Sequence, residues 1–461
     1  MKRNPIEKST SADAGGRYET ETDEHVGQGK STQFITNSEE AKNSEFELFL
    51  APSIKKIHDP KAFEWFKPRH RNVTGLRTKF VKTLVNLCVE QGDEHFGHHR
   101  VYWNQQLPMI IEITMSILYY DNQILDRKRN VANPAAIFKN LKEARIIQCE
   151  LTNYILNRVP DPFQLETIRM VADILNVVTI GQDIQEQNNY AHWTNEEFKK
   201  TYQKITKEKI NYDILSLVQQ AVESEIIGRG DRIFHKSKYI KTYLERVYLT
   251  NSYLFVEVTK YILSYSSVKE EDKNVIIRFG AIEGFLNQFI NDISDFIPMK
   301  DVKKMEKSAT KSPSDALRDM DNNLVTLPVI FHLAHSNKTD IEQFLRKKED
   351  LSLKEKEKVT QEIINDHSIY YAMAVAKSIS KNFKPDLTKL SINAQSLIDI
   401  LQVAENNRIY AYFYRNQQAY KAYQKAKGGL KPETKLPYFQ AIKDFGFQFV
   451  RQLGHKLAAF I

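Results

Sequence analysis

Apolar residues recur at three- and four-residue spacing over most of this chain, and that period constrains the fold more than any other feature. It is visible in residues 79–90 (KFVKTLVNLCVE), 107–126 and 244–264, and again in 274–297, 325–335, 356–384 and 391–415. Spacing of that kind places one apolar stripe on a helix. Alternating apolar and polar runs bounded by Asn-Gly or Asp-Gly turns are absent, so strands and hairpins are not expected. Only 16 glycines and 14 prolines interrupt the 461 residues, which favours long helices. The expected class is all-α: a single large helical bundle.

Breaks are expected at Pro160–Pro162, near Gly228–Gly230, at Pro298–Pro313 and at Gly428–Pro432. Residues 1–45 have few large apolar side chains and many Ser, Thr, Glu and Gly, so they read as a disordered tail. The partition is then a helical core at 46–412 and a helical C-terminal extension at 413–461, rich in aromatics and lysine. That extension suits docking on the core or peripheral contact with a membrane surface. No stretch approaches the roughly eighteen uninterrupted apolar residues of a membrane span. Cys88 and Cys149 lie in apolar helical patterns and read as reduced core residues of a cytoplasmic protein. The net charge of +8 is spread among interleaved acids, so it reads as solvated helix faces, and no nucleic-acid partner is expected. His95, His98 and His99 have spacings that admit a zinc pair, but the HFGHHR segment reads as a polar turn with no ligand cluster to complete a site.

The chemistry concentrates in Asn287–Pro328. Asn291 and Asp295 are four apart and share one helical face, with Asp292 beside them. Carboxylate and carboxamide oxygens on one face suit Mg²⁺, which takes oxygen ligands together with substrate phosphates. After a polar loop the chain reads DMDNNLVTLP and enters another apolar helix. This arrangement resembles the second aspartate-rich motif of the trans-isoprenyl diphosphate synthases, Q-x-x-D-D-x-x-D-F followed by D-x-x-x-G-K-x-T-L-P. The matching residues are Gln288, Asn291, Asp292, Asp295 and Phe296, then Asp319, Asn323, Val325, Thr326, Leu327 and Pro328. Asn291 stands where the family has its first aspartate, and Leu324 where it has a diphosphate-binding lysine.

Upstream, residues 107–130 are similar to the family's first motif. Counting from Glu112 sets Asn122, Gln123 and Asp126 at the three aspartate positions, while Asp121 falls one place early. Asn122 and Asp126 share a face; a one-residue helix irregularity would bring in Asp121 instead, so both registers stand. Arg127, Lys128 and Arg129 follow as a basic cluster. Gly75, Arg77 and Lys79 resemble the family's G-K-x-R segment for the homoallylic diphosphate, and Gly181–Gln182 its G-Q pair. Tyr202 and Lys209 match a tyrosine followed by a diphosphate-binding lysine. An alternative register puts Thr250 at that lysine's place, and an extra helical hairpin near 205–245 would reconcile the two.

The resemblance spans about residues 60 to 412. It implies an isoprenoid-synthase-type bundle around a central apolar cavity, working as a homodimer or heterodimer. It implies Mg²⁺ held by Asp121, Asn122 and Asp126 on one side and by Asn291, Asp292 and Asp295 on the other, with Asp126, Asp292 and Asp295 as the catalytic carboxylates. Arg77, Lys79, Gln182, Lys209, Arg127, Lys128 and Arg129 would bind diphosphate. The implied activity is a prenyltransferase acting on allylic prenyl diphosphates by Mg²⁺-assisted ionisation and alkene attack. Its alternatives are a terpene cyclase on the same fold and a non-catalytic prenyltransferase-like subunit. Ile117 and Leu118, with Tyr119 and Tyr120 close by, would floor the product pocket. Acceptor and product length stay open.

Overall fold

The computed structural model describes residues 76–127, 134–187, 204, 207–227, 237–297, 317–321, 324–335, 340–345, 351–405, 407 and 409–415, and for some of these, 119–127 among them, the backbone course alone. The expected tail at 1–45, Gly75, Lys128, Arg129, Tyr202, Asn323 and the extension beyond 415 lie outside the described residues, as do the breaks expected at Gly228–Gly230, Pro298–Pro313 and Gly428–Pro432.

The described residues are helical and contain no strand. The helices are α1 (Leu76–Glu90), α2 (Glu94–His98), α3 (Leu107–Arg127), α4 (Pro134–Arg158), α5 (Asp161–Gln187), α6 (Tyr212–Ile227), α7 (Ser237–Val247), α8 (Tyr253–Ser264), α9 (Glu270–Ser294), α10 (Arg318–Asp321), α11 (Leu327–His335), α12 (Asp340–Leu345), α13 (Leu353–Asn365), α14 (Ser368–Thr388) and α15 (Gln395–Glu405). A π turn at Tyr102–Gln106 leads straight into α3, and another at Tyr248–Ser252 joins α7 to α8.

Helix α8 is apolar nearly all round and buries Leu254, Phe255, Val258 and Ile262, as the central helix of a bundle must. It packs against α9, α5 and α1, while α9 also packs against α14 and the second π turn. Phe80 of α1 meets Phe255 edge-on at 4.9 Å and stacks on Phe279 at 5.8 Å, so three helices share one aromatic contact. The second π turn approaches α9 so closely that a Cβ added at Gly284 would stand 2.3 Å from the Ser252 Cα. Gly181 of α5 meets Leu249 of the same turn, where an added Cβ would fall 2.9 Å from Leu249 Cβ. Helices α5 and α9 therefore converge on residues 248–252.

Two sequence expectations change. The period through 356–384 reads as one helix, but the chain breaks at Asp366–His367. His367 takes φ 67°, and the Asp366 side chain accepts from Ser368 N at 3.0 Å to start α14. Ser352 and Glu355 form a reciprocal capping box at the other end of α13. Cys88 is buried, whereas Cys149 is exposed on α4, because Ile147, Leu151 and Ile155 take the inward stripe and Cys149 falls opposite.

At one end of the bundle, the start of α5 and the end of α8 meet the first π turn. Tyr102, Thr167 and Tyr261 bond one another through their hydroxyls there, ringed by Trp103, Phe163 and Tyr265. The ring of His99 lies edge-on to Phe163 at 5.0 Å, so it serves this cluster. No helix among the described residues is long and apolar enough to cross a membrane.

Candidate functional site

The opposite end gathers α3 at Leu118, α5 at Gly181–Gln182, the last turns of α9, the second π turn and the start of α11. Its centre is Asp292, 0% exposed and held by three donors. Gln288 Nε2 donates to Oδ1 at 2.6 Å, Tyr243 Oη to Oδ2 at 2.5 Å, and the Leu327 backbone N–H to Oδ2 at 3.2 Å. Gln288 is set by Asn251, whose Nδ2 donates to its Oε1 at 2.7 Å. A chain of polar contacts thus runs from the π turn through α9 to the N-terminus of α11.

Tyr243 stacks on Phe289, and Arg246 lies over the Tyr243 ring at 5.3 Å. Arg246 Nη2 also donates to Val325 O at 3.3 Å, which pins the strap 324–326 that leads into α11. Burial, then the nearby Asp319 carboxylate, pushes the Asp292 carboxyl up to about 6, while Arg246 and its hydrogen bonds pull it down. Burial and Asp292 together hold Tyr243 well above the ordinary phenol range, so it stays a neutral donor. Neither Tyr243 nor Arg246 belongs to a motif; both lie among the tyrosines and basic residues of an ordinary amphipathic helix.

With Asp292 turned inward, the same turn leaves Asn291 exposed and Asp295 half-buried. Leu324 is 5% exposed and its N–H donates to Asp319 O at 2.8 Å, so this position faces the interior. On α3 the helix is regular from Glu112 through Asp121, Asn122, Gln123, Asp126 and Arg127, and the irregularity is the π turn upstream of Glu112. Asn122 and Asp126 therefore share one helical face and Asp121 lies on a neighbouring one; their side chains are outside the described residues. Among the described residues, no group of three or more His, Cys, Asp or Glu converges as a metal cluster.

The remaining predicted residues divide. Gln182 is buried and its Nε2 donates to Leu118 O at 3.3 Å, tying α5 to α3. Lys209 pairs with Asp173 at 2.9 Å and reaches Tyr253 Oη at 3.3 Å, two turns of α5 before Gly181. Thr250 of the alternative register stands next to Asn251, which is the residue bonded to Gln288. Arg77 Nη2 pairs with Glu112 Oε2 at 3.1 Å, and Thr78 Oγ1 donates to Glu112 Oε1 at 3.4 Å. Lys79 is exposed, and its charge acts on Glu283 of α9.

No family model matches the chain, and none of the curated proteins matches it. Solved structures do. A farnesyl diphosphate synthase from T. brucei, complexed with a bisphosphonate, superposes with a TM-score of 0.53 at 11% identity over 81% of this chain and 99% of that one. A polyprenyl synthase from Caulobacter crescentus, complexed with calcium and isoprenyl diphosphate, gives 0.51 at 13% over 81% and 97%. A geranylgeranyl pyrophosphate synthase from Bacteroides thetaiotaomicron gives 0.50 at 16% over 81% and 97%. The chain therefore has the all-α isoprenoid synthase fold.

Proposed function

We propose that this protein is a prenyltransferase of the trans-isoprenyl diphosphate synthase type, which binds an allylic prenyl diphosphate between the C-terminal ends of α3 and α9 and promotes loss of its diphosphate. The observation that supports this is the last turn of α9. Asp292, held by Gln288, Tyr243 and Leu327, fixes that turn against the strap into α11, with Asn291 exposed and Asp295 half-buried on the helical face they share. Their oxygens fit an oxygen-preferring ion.

Asn291 and Asp295, with Asn122 and Asp126 from α3 (or Asp121 in the alternative register), would hold Mg²⁺. Bound there, the ion would supply Lewis-acid withdrawal of charge from the leaving diphosphate. Asp292 is assigned the positioning of the α9 wall against α7 and α11. Arg127, Lys128 and Arg129 would neutralise phosphate as the bond breaks, and the apolar walls of α8 and α9 would keep water from the allylic cation. In this reading the soluble partner is the prenyl diphosphate itself, and the chain works as a homodimer or heterodimer.

A second reading, cyclisation of a single allylic diphosphate, is favoured by the burial of Leu324 at the lysine position and by the pairing of Arg77 with Glu112. Purified protein given Mg²⁺ and farnesyl or geranylgeranyl diphosphate, with and without isopentenyl diphosphate, tests both. Binding of the allylic diphosphate that EDTA abolishes is expected. Longer diphosphates formed only with isopentenyl diphosphate mark chain elongation, and hydrocarbons formed without it mark cyclisation. Mg²⁺-dependent binding without turnover marks the non-catalytic subunit. Absence of Mg²⁺-dependent binding of either diphosphate sinks the proposal.

A further inference from the structure

Glu283 lies on α9 nine residues before Asp292, and Glu112 lies on α3 ten residues before Asn122. At a rise of about 1.5 Å per residue, both acids sit roughly 13 to 15 Å below the helix ends that bear the oxygen ligands, on the same two helices. Helix α1 packs against α3 and brings Arg77 and Lys79 to this level. These are the two basic residues that the resemblance gives to a second diphosphate. Here Arg77 is paired with Glu112, and the charge of Lys79, whose side chain is exposed, acts on Glu283 from a distance.

The two carboxyls differ in what they still need. Glu112 accepts from Arg77 and Thr78. Glu283 is 0% exposed, and among the described residues neither of its oxygens meets a hydrogen-bond donor. A buried polar group in that state is costly, and folded proteins seldom keep one without a use. Buried apolar residues stand near it in the chain, Phe279 and Ile282 on α9, with Phe80 stacked on Phe279. A diphosphate entering here would find Arg77 already paired with Glu112, whereas a hydrogen-bond donor would meet a vacant acceptor.

We infer that the second ligand site of this protein, at the level of Glu283, takes a non-phosphorylated head group that donates hydrogen bonds, an amine or a hydroxyl, with Glu283 as its acceptor, in place of a second diphosphate. The inference rests on the reading of the α3 and α9 ends as the first diphosphate site. Burial, opposed by the Lys79 ammonium, lifts the Glu283 carboxyl to about 8, so near neutral pH it is largely protonated on its own, and an ammonium bound beside it would draw it back to the charged form.

The full chain, with Mg²⁺ and farnesyl thiolodiphosphate as a slow-reacting occupant of the first site, is titrated calorimetrically with three probes of one skeleton: isopentenyl diphosphate, 3-methyl-3-buten-1-ol and 3-methyl-3-buten-1-amine. The amine or the alcohol is expected to bind at least about tenfold more tightly than the diphosphate, and whichever binds better identifies the head group. Glu283→Gln, which keeps the shape and the acceptor oxygen but not the charge, should weaken the amine about tenfold or more and the alcohol less. Glu283→Leu should weaken both, and neither variant should change loading of the thiolodiphosphate. Tightest binding of isopentenyl diphosphate, no binding of amine or alcohol, or probe affinities unchanged in both variants would overturn the inference. Failure to load the thiolodiphosphate in Mg²⁺ instead refutes the first-site reading, and this one with it.

Discussion

Asp292 and Glu283 occupy one helix and are equally shut off from water, yet their surroundings are opposite. Asp292 has three donors around it and joins α7, α9 and α11. Glu283 has none among the described residues, and the charge of Lys79 gives it some relief. Burial raises both carboxyls, so desolvation does not distinguish them; the supply of donors does. The upper level of α9 is thus a finished structural joint, and the lower level is an incomplete one. Fully satisfied polar networks rigidify a fold, and partly satisfied ones mark where something else is to be bound.

The strongest way to break the contrast is to remove the satisfied member. Asp292→Ala strips one acceptor from Gln288, Tyr243 and the Leu327 amide at once, and should cost about 3 kcal/mol of stability by urea unfolding. An Asp292→Ala protein as stable as the parent would show that the joint contributes nothing.

The next largest effect should appear in pH dependence, with the opposite sign. Glu283 has a folded pKa of about 8 against an ordinary 4.5, so the folded chain holds a proton that the unfolded chain releases between those values. Stability therefore falls as pH rises from about 4.5 to 8. Asp292 acts likewise between 3.8 and about 6. Glu283→Leu removes the upper window, so it should stabilise the protein by on the order of 3 kcal/mol at pH 8 and by much less at pH 5. Unfolding midpoints of both proteins from pH 5 to 8 measure this, and parallel curves would refute it. A gain in stability paired with a loss of ligand binding is the trade expected of a functional group.

The smallest effect sharpens the comparison from within. Tyr243→Phe leaves the ring on Phe289 and removes one of the three donors, so it should cost about 1 kcal/mol. It should also raise the Asp292 carboxyl further, toward the behaviour of Glu283. The carboxyl titration of Asp292, followed by NMR, should shift upward; an unchanged titration would mean that the phenol does not help hold the charge.

The sequence made some of this legible and concealed the rest for definite reasons. Helical periodicity was enough for the all-α class and for α3, α8 and α9, because a central bundle writes its burial into spacing. It could not show the stop at Asp366–His367, where the apolar stripe continues across a two-residue interruption. The string from Gln288 to Pro328 pointed to Asp292, but it could not say that Asp292 turns inward while Asn291 stays exposed. That division depends on Tyr243 and Arg246, which come from another helix. Glu283 sits in the apolar run AIEGFL, where one acid looks like an ordinary edge of the stripe until its missing partners are seen. Distance to Asp292 favours Thr250 over Lys209 at the lysine's place, but spacing could not show that Lys209 is held by Asp173, an acid distant in sequence.

A π turn is a helix with one residue too many. The turn at Tyr248–Ser252 therefore offsets everything before it by about 100° relative to everything after it. Before it stand Tyr243 and Arg246, facing the Asp292 joint; after it stands Tyr261, facing the hydroxyl triad at the far end. An uninterrupted α-helix with one residue fewer would aim only one of these sets inward. Deleting a single codon there would leave a good helix and turn half of its working side chains to the wrong wall.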